Sequence, residues 1–114
     1  MKDSGALKET LDLYNKHGWT LRRVLISDGT RSNLRNSEGE IFGNVLPEPA
    51  DIDAAWFSRP SHAGGEAWEL RSLAETPFAV VEVIPIDAPD DERKEVLERL
   101  ELRIKEMQAR RGGS

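Results

Sequence analysis

The sequence predicts a single α+β domain: an N-terminal helix, a mostly antiparallel sheet of roughly four or five strands, and a long C-terminal helix packed on that sheet. Two observations carry the prediction. Helical periodicity stands at both ends of the chain, and runs of β-branched and aromatic residues follow one another between residues 52 and 84. At 114 residues the chain can bury one core but not two comfortable ones. The domain is expected over residues 1–111, with 112–114 (Gly-Gly-Ser) as a flexible tail.

The first helix is expected from Ser4 to Lys16. Asp3 or Ser4 can cap it, and Leu7, Leu11 and Tyr14 fall on one apolar stripe. Gly18 stops it, because glycine enters the left-handed region without a Cβ penalty. His17 in the last turn suits the negative end of the helix dipole.

A strand follows over Trp19–Ile26, ended by the Asp28-Gly29 turn signal. Its alternation slips in the middle: Trp19 and Leu21 share one face, while Val24 and Ile26 count onto the other. That slip predicts a bulge or burial on both sides. From Thr30 to Asp51 the periodicity fades, with short apolar patches at Ile41-Phe42 and Val45-Leu46. A long irregular connection is expected there, a candidate binding loop.

Ile52 to Ile84 reads as a three-stranded meander: Ile52–Ser58, Glu66–Ser72 and Phe78–Ile84. Pairing Ser58 with Glu66 sets Trp56 opposite Trp68, Ala54 opposite Leu70, and Asp53 opposite Arg71. An aromatic pair and an opposite-charge pair emerge from that one register, each worth about 0.2–1 kcal/mol. The third strand is apolar on both faces, with Phe78, Val80 and Ile84 on one and Ala79, Val81 and Val83 on the other. That is the pattern of an interior strand covered on both sides, by a helix or by another subunit.

The last element begins at Pro89-Asp90-Asp91-Glu92, with proline in the first turn and acids at the positive end of the dipole. Val96, Leu97, Leu100, Ile104 and Met107 form a stripe at helical spacing. Glu95/Arg99, Glu101/Lys105 and Glu106/Arg110 are placed to pair along the helix. The stripe is too short for an extended coiled coil. Either it folds over the sheet or it pairs with a second copy or another protein through Leu97, Leu100, Ile104 and Met107, and the apolar third strand favours docking on the sheet.

Charge separates along the chain. Residues 1–47 carry 7 basic and 6 acidic groups, residues 48–92 carry 2 and 11, and residues 93–114 carry 7 and 4. So acidic a middle argues against nucleic acid, whose binding would rest on Arg22, Arg23, Arg31 and Arg35 or on the tail. No apolar run is long enough to span a membrane, and no signal-peptide core is expected. With no cysteine there is neither a disulfide framework nor a thiolate site, which suits a reducing compartment, and the cytoplasm is the expected location.

The sequence lacks a phosphate-binding glycine loop, a nucleophile elbow and a zinc-binding HExxH. Two histidines without cysteine make a poor zinc set, and the acids near residue 90 lack the spacing of a calcium loop. No catalytic residue, metal or cofactor is therefore assigned. The rim of the first hairpin is the candidate binding site, with Trp56, Arg59, His62, Trp68, Glu69 and Arg71 around it; Ser61 and Asp53 complete an acid, a base and a hydroxyl. Two functions are consistent with these features. The favoured one is a non-enzymatic protein-binding or adaptor module able to self-associate; the alternative is a small ligand-binding domain or enzyme working at that rim.

Overall fold

The computed structural model describes residues 4–34, 37–61, 64–73 and 79–112. The elements run α1 (Ser4–Lys16), β1 (Thr20–Ile26), α2 (Asp28–Asn33), α3 (Glu38–Phe42), β2 (Glu48–Pro49), β3 (Ala54–Pro60), β4 (Gly65–Ser72), β5 (Ala79–Pro85) and α4 (Asp90–Gly112). Among the described residues the strands form one sheet in the order β2-β1-β3-β4-β5. β2 joins β1 in parallel, and every other pairing is antiparallel. This is the α+β class that the sequence predicts. No helix among the described residues is long and apolar enough to cross a membrane.

The helices cover the sheet from both sides, so the core is two layers rather than one. On one face Leu7 and Leu11 of α1 pack with Val24, Ile26, Ala55, Phe57 and Leu73, joined by Ile41 and Phe42 of α3. On the other, Leu100 and Ile104 of α4 pack with Leu25, Ala54, Trp56, Trp68, Leu70, Val80 and Ile84. The final helix docks on the sheet as expected, with Val96, Leu97 and Met107 partly buried beside the cluster. Three of its charged residues reach across to the sheet and to the turn before β3, and the Arg110 side chain lies outside the described residues. Arg99 meets Glu82 at 3.4 Å, Glu101 accepts from Trp56 and Arg23, and Lys105 pairs with Asp51.

The slipped alternation of β1 is a bulge. The register with β3 shifts between Leu21 and Arg23, which leaves Arg22 as the extra residue. This one inserted residue restores the parity of the strand beyond it: Leu21, Val24 and Ile26 all join the α1-side cluster. The segment expected to be an irregular loop instead carries two short helices, α2 and α3, and the short strand β2. Ser27 caps α2 by accepting from the Thr30 N–H at 3.4 Å, and its own N–H donates to the Asp53 carboxylate at 2.9 Å. Asp53 therefore belongs to this turn and does not face Arg71, which pairs with Ala55.

The first hairpin has the expected strands in a register two residues away. Ser58 pairs with Trp68 and Trp56 with Leu70, because β3 continues to Pro60 and the Ser61 N–H closes onto the Gly65 carbonyl at 2.9 Å. A shift of two preserves the faces, so the tryptophans still share a side. They meet diagonally and edge-on, with ring centroids 6.1 Å apart. β5 is an edge strand, not an interior one. Val80 and Ile84 lie under α4, whereas Val81 and Val83 are 55% and 56% exposed on the α1 side, where no described element covers them. Phe78 lies outside the described residues.

Candidate functional site

The way α1 ends builds a cleft. Gly18 takes φ +88°, and the turn closes with the Trp19 N–H on the Tyr14 carbonyl at 3.0 Å and the Gly18 N–H on that of Asn15 at 3.1 Å. This is the paired-bond stop of a glycine-terminated helix, in which the first residue beyond the glycine folds back on the last turn. Here that residue is Trp19, whose ring lies 6.1 Å from Tyr14. Tyr14 in turn stacks on Phe57 of β3 at 4.0 Å. From the end of β3, the Arg59 guanidinium sits 4.6 Å over Trp19 and donates to the His17 carbonyl at 3.1 Å, a cation on the negative helix end. Leu13, Tyr14, His17, Trp19, Arg59 and Glu69 line a cleft of about 300 Å³.

The floor of the cleft is polar. The Tyr14 hydroxyl donates to Glu69 Oε2, and Arg71 Nη1 donates to the Tyr14 hydroxyl at 3.5 Å. Burial first, and then the Glu69 carboxylate, push the Tyr14 phenol up to about 12 against the opposing pull of Arg71. Tyr14 is thus a neutral hydrogen-bond donor at physiological pH, not a base or a nucleophile. The arrangement sets aromatic walls, a cation at the lip and a carboxylate acceptor below.

The structure divides the residues that the sequence grouped at one rim. Arg59, Glu69 and Arg71 lie on the α1 side and share the cleft region. Trp56 and Trp68 lie on the α4 side, fully buried and 9% exposed respectively. Their indole N–H groups donate to Glu101 and Glu66, each at 2.9 Å, and Arg22 stacks 5.7 Å from Trp68. The two sets point to opposite faces of β3 and β4, so they do not surround one site. His62 lies outside the described residues. Of the arginines considered for nucleic acid, Arg22 holds Ser58, Arg23 grips Glu48 through two bonds of 2.9 and 3.0 Å, and Arg31 donates to the Pro47 carbonyl. Arg35 lies outside the described residues.

Tyr14, His17, Trp19 and Leu13 were not grouped by sequence reasoning, although the signal for them was the helix stop. A glycine followed by a large apolar residue marks a helix end that folds back on itself. From this cleft the same sheet face continues outward. Glu69 pairs with Val81, and Ala67 pairs with Val83. Leu13, 54% exposed, stands at the cleft wall, and Glu69, which also lines the cleft, is the cross-strand neighbour of Val81, so the cleft adjoins the open strand face. Among the described residues no group of three or more His, Asp or Glu side chains is placed to hold a metal ion. Comparison with protein-family models, with curated proteins and with solved structures returned no match.

Proposed function

We propose that the protein is a protein-binding module whose docking surface is the α1 side of the sheet's β4–β5 half together with the adjoining cleft. The observation that carries this reading is the uncovered apolar face. Leu13, Val81 and Val83 are each more than half exposed and lie on one side of the molecule, where α1 stops short of the sheet edge. Contiguous apolar surface rimmed by polar groups marks an interaction site more often than scattered single residues do. The rim here is Arg59, Glu69 and Arg71, and the cleft between Trp19 and Tyr14 suits an inserted side chain of a partner, since aromatic and arginine anchors dominate interfaces.

The test is positional. A photo-cross-linking residue is placed at Leu13 or at Val83 and, as a control, at Leu46, which is 82% exposed on the far connection. Discrete protein adducts from the first two sites and none from the third are expected in a cell extract. Adducts equally abundant at Leu46, or absent throughout, refute the reading.

A further inference from the structure

The free edge of β5 carries a more specific partner. The Ile86 N–H donates to the Gly64 carbonyl at 3.0 Å, continuing the register in which Gly65 meets Pro85. Hydrogen-bonded and non-hydrogen-bonded pairs alternate along an antiparallel ladder. Val80, Glu82 and Ile84 therefore turn their main-chain groups toward β4. Ala79, Val81, Val83 and Pro85 turn theirs away from the sheet, and Pro85 has no N–H to offer there. The residues with outward main-chain groups are also those whose side chains lie on the open apolar face. One strand thus presents, in one direction, main-chain donors and acceptors that no other described strand pairs with and the exposed side chains of Val81 and Val83.

We propose that β5 pairs antiparallel with β5 of a second copy of this chain, with Val81 meeting Val81 of that copy on the two-fold axis. The proposal rests on the protein-binding reading above and names the partner. Register is set by the sequence of the strand. Centring on Val81 sets Ala79 against Val83 and joins the copies by about six main-chain hydrogen bonds. Centring on Glu82 would set two carboxylates directly opposite, which is destabilising. Centring on Val83 would set Val81 against Pro85, whose missing N–H breaks the ladder. Of these three registers the Val81 one keeps its bonds and separates the acids, and Glu82 stays available to Arg99 of its own chain. Pairing also merges the two open faces into one apolar floor, with an α1 helix toward each side. A two-fold axis makes the contact self-complementary. Because strand pairing buries less than the roughly 1,200 Å² of a standard interface, the dimer is weak and dissociates on dilution.

Light scattering on the full chain tests this. The mass is expected to rise from 12.8 kDa toward twice that value between about 1 and several hundred micromolar. Val81→Lys and Val81→Glu each place like charges on the axis, so each alone is expected to stay monomeric, and their equimolar mixture to dimerise again. Both substitutions fall at a side chain that is more than half exposed, and circular dichroism is the check that each variant folds. A wild-type chain that stays monomeric throughout, or a mixture that does not recover, overturns the pairing. If Leu13 and Val83 still give adducts with another protein in that case, the binding reading survives and only its second-copy partner falls. Loss of those adducts as well removes both.

Discussion

Replacing Ile104 with alanine tests whether α4 is the cover of the second core layer. Ile104 is fully buried among Trp56, Leu70 and Val80, on the face that α1 does not reach. The substitution removes three carbon groups, about 2.4 kcal/mol of transfer free energy at about 0.8 kcal/mol each. Incomplete collapse of the cavity brings the loss to about 3–4 kcal/mol, inside the range measured for such truncations. For a chain of this size that is a fall in Tm of roughly 12–16 °C, and a large share of a typical total stability of about 5–15 kcal/mol. Urea unfolding followed by tryptophan emission reads it as a lower midpoint at an unchanged slope. The control is Leu102→Ala two residues away, 57% exposed on the same helix, expected to change stability by no more than about 0.5 kcal/mol. Equal effects from the two variants would refute the seating of α4 on the sheet.

Two further outcomes concern the charged groups. The single tyrosine makes the Tyr14 phenol directly observable: its ultraviolet titration is expected near 12 in the folded protein and near 10 after unfolding. Since the folded value is the higher one, the stabilisation it reflects is complete below pH 10 and is lost as pH rises from 10 through about 12. A folded-state midpoint at 10 would place Tyr14 in water. Arg23→Gln is expected to lower stability by about 0.5–1 kcal/mol at neutral pH and low salt, as a half-exposed ion pair should. Arg23 holds the Glu48 carboxyl below its usual 4.5, so the difference from wild type should shrink as pH falls below that value and Glu48 protonates. A difference that persists unchanged at pH 2–3 would assign the effect to packing.

Short-range repetition is the part of this fold that the sequence made legible. α1 and α4 each show an apolar stripe over several turns, and the β1 bulge showed itself as a slipped alternation. The two-residue error in the β3–β4 register has a physical origin: the hydrophobic pattern fixes parity but does not distinguish one partner from the next on the same face. α2 and α3, of six and five residues, are too short to show a period, and β2 is defined only by a parallel pairing to β1. β5 misled because its valines are apolar on a face that the topology leaves open. A site assembled from a helix stop, the start of β1 and the end of β3 has no contiguous motif, so only Arg59, Glu69 and Arg71 were found in advance.

The division of the core into two layers also sets an order of events during synthesis. The α1-side cluster draws on residues from Leu7 to Leu73 and can close as soon as that stretch of chain is free. The opposite cluster lacks Leu100 and Ile104 until the last part of the chain emerges. In the interval Trp56, Leu70, Val80 and Ile84 form a bare apolar sheet face beside an unpaired edge, the kind of surface on which nascent chains aggregate. Arrival of the C-terminal helix ends that exposure. A chain cut short before residue 100 is therefore expected to be lost from the folded soluble fraction rather than to accumulate as a smaller folded protein, and native-state hydrogen exchange is expected to find the α4 layer opening before the α1 layer does.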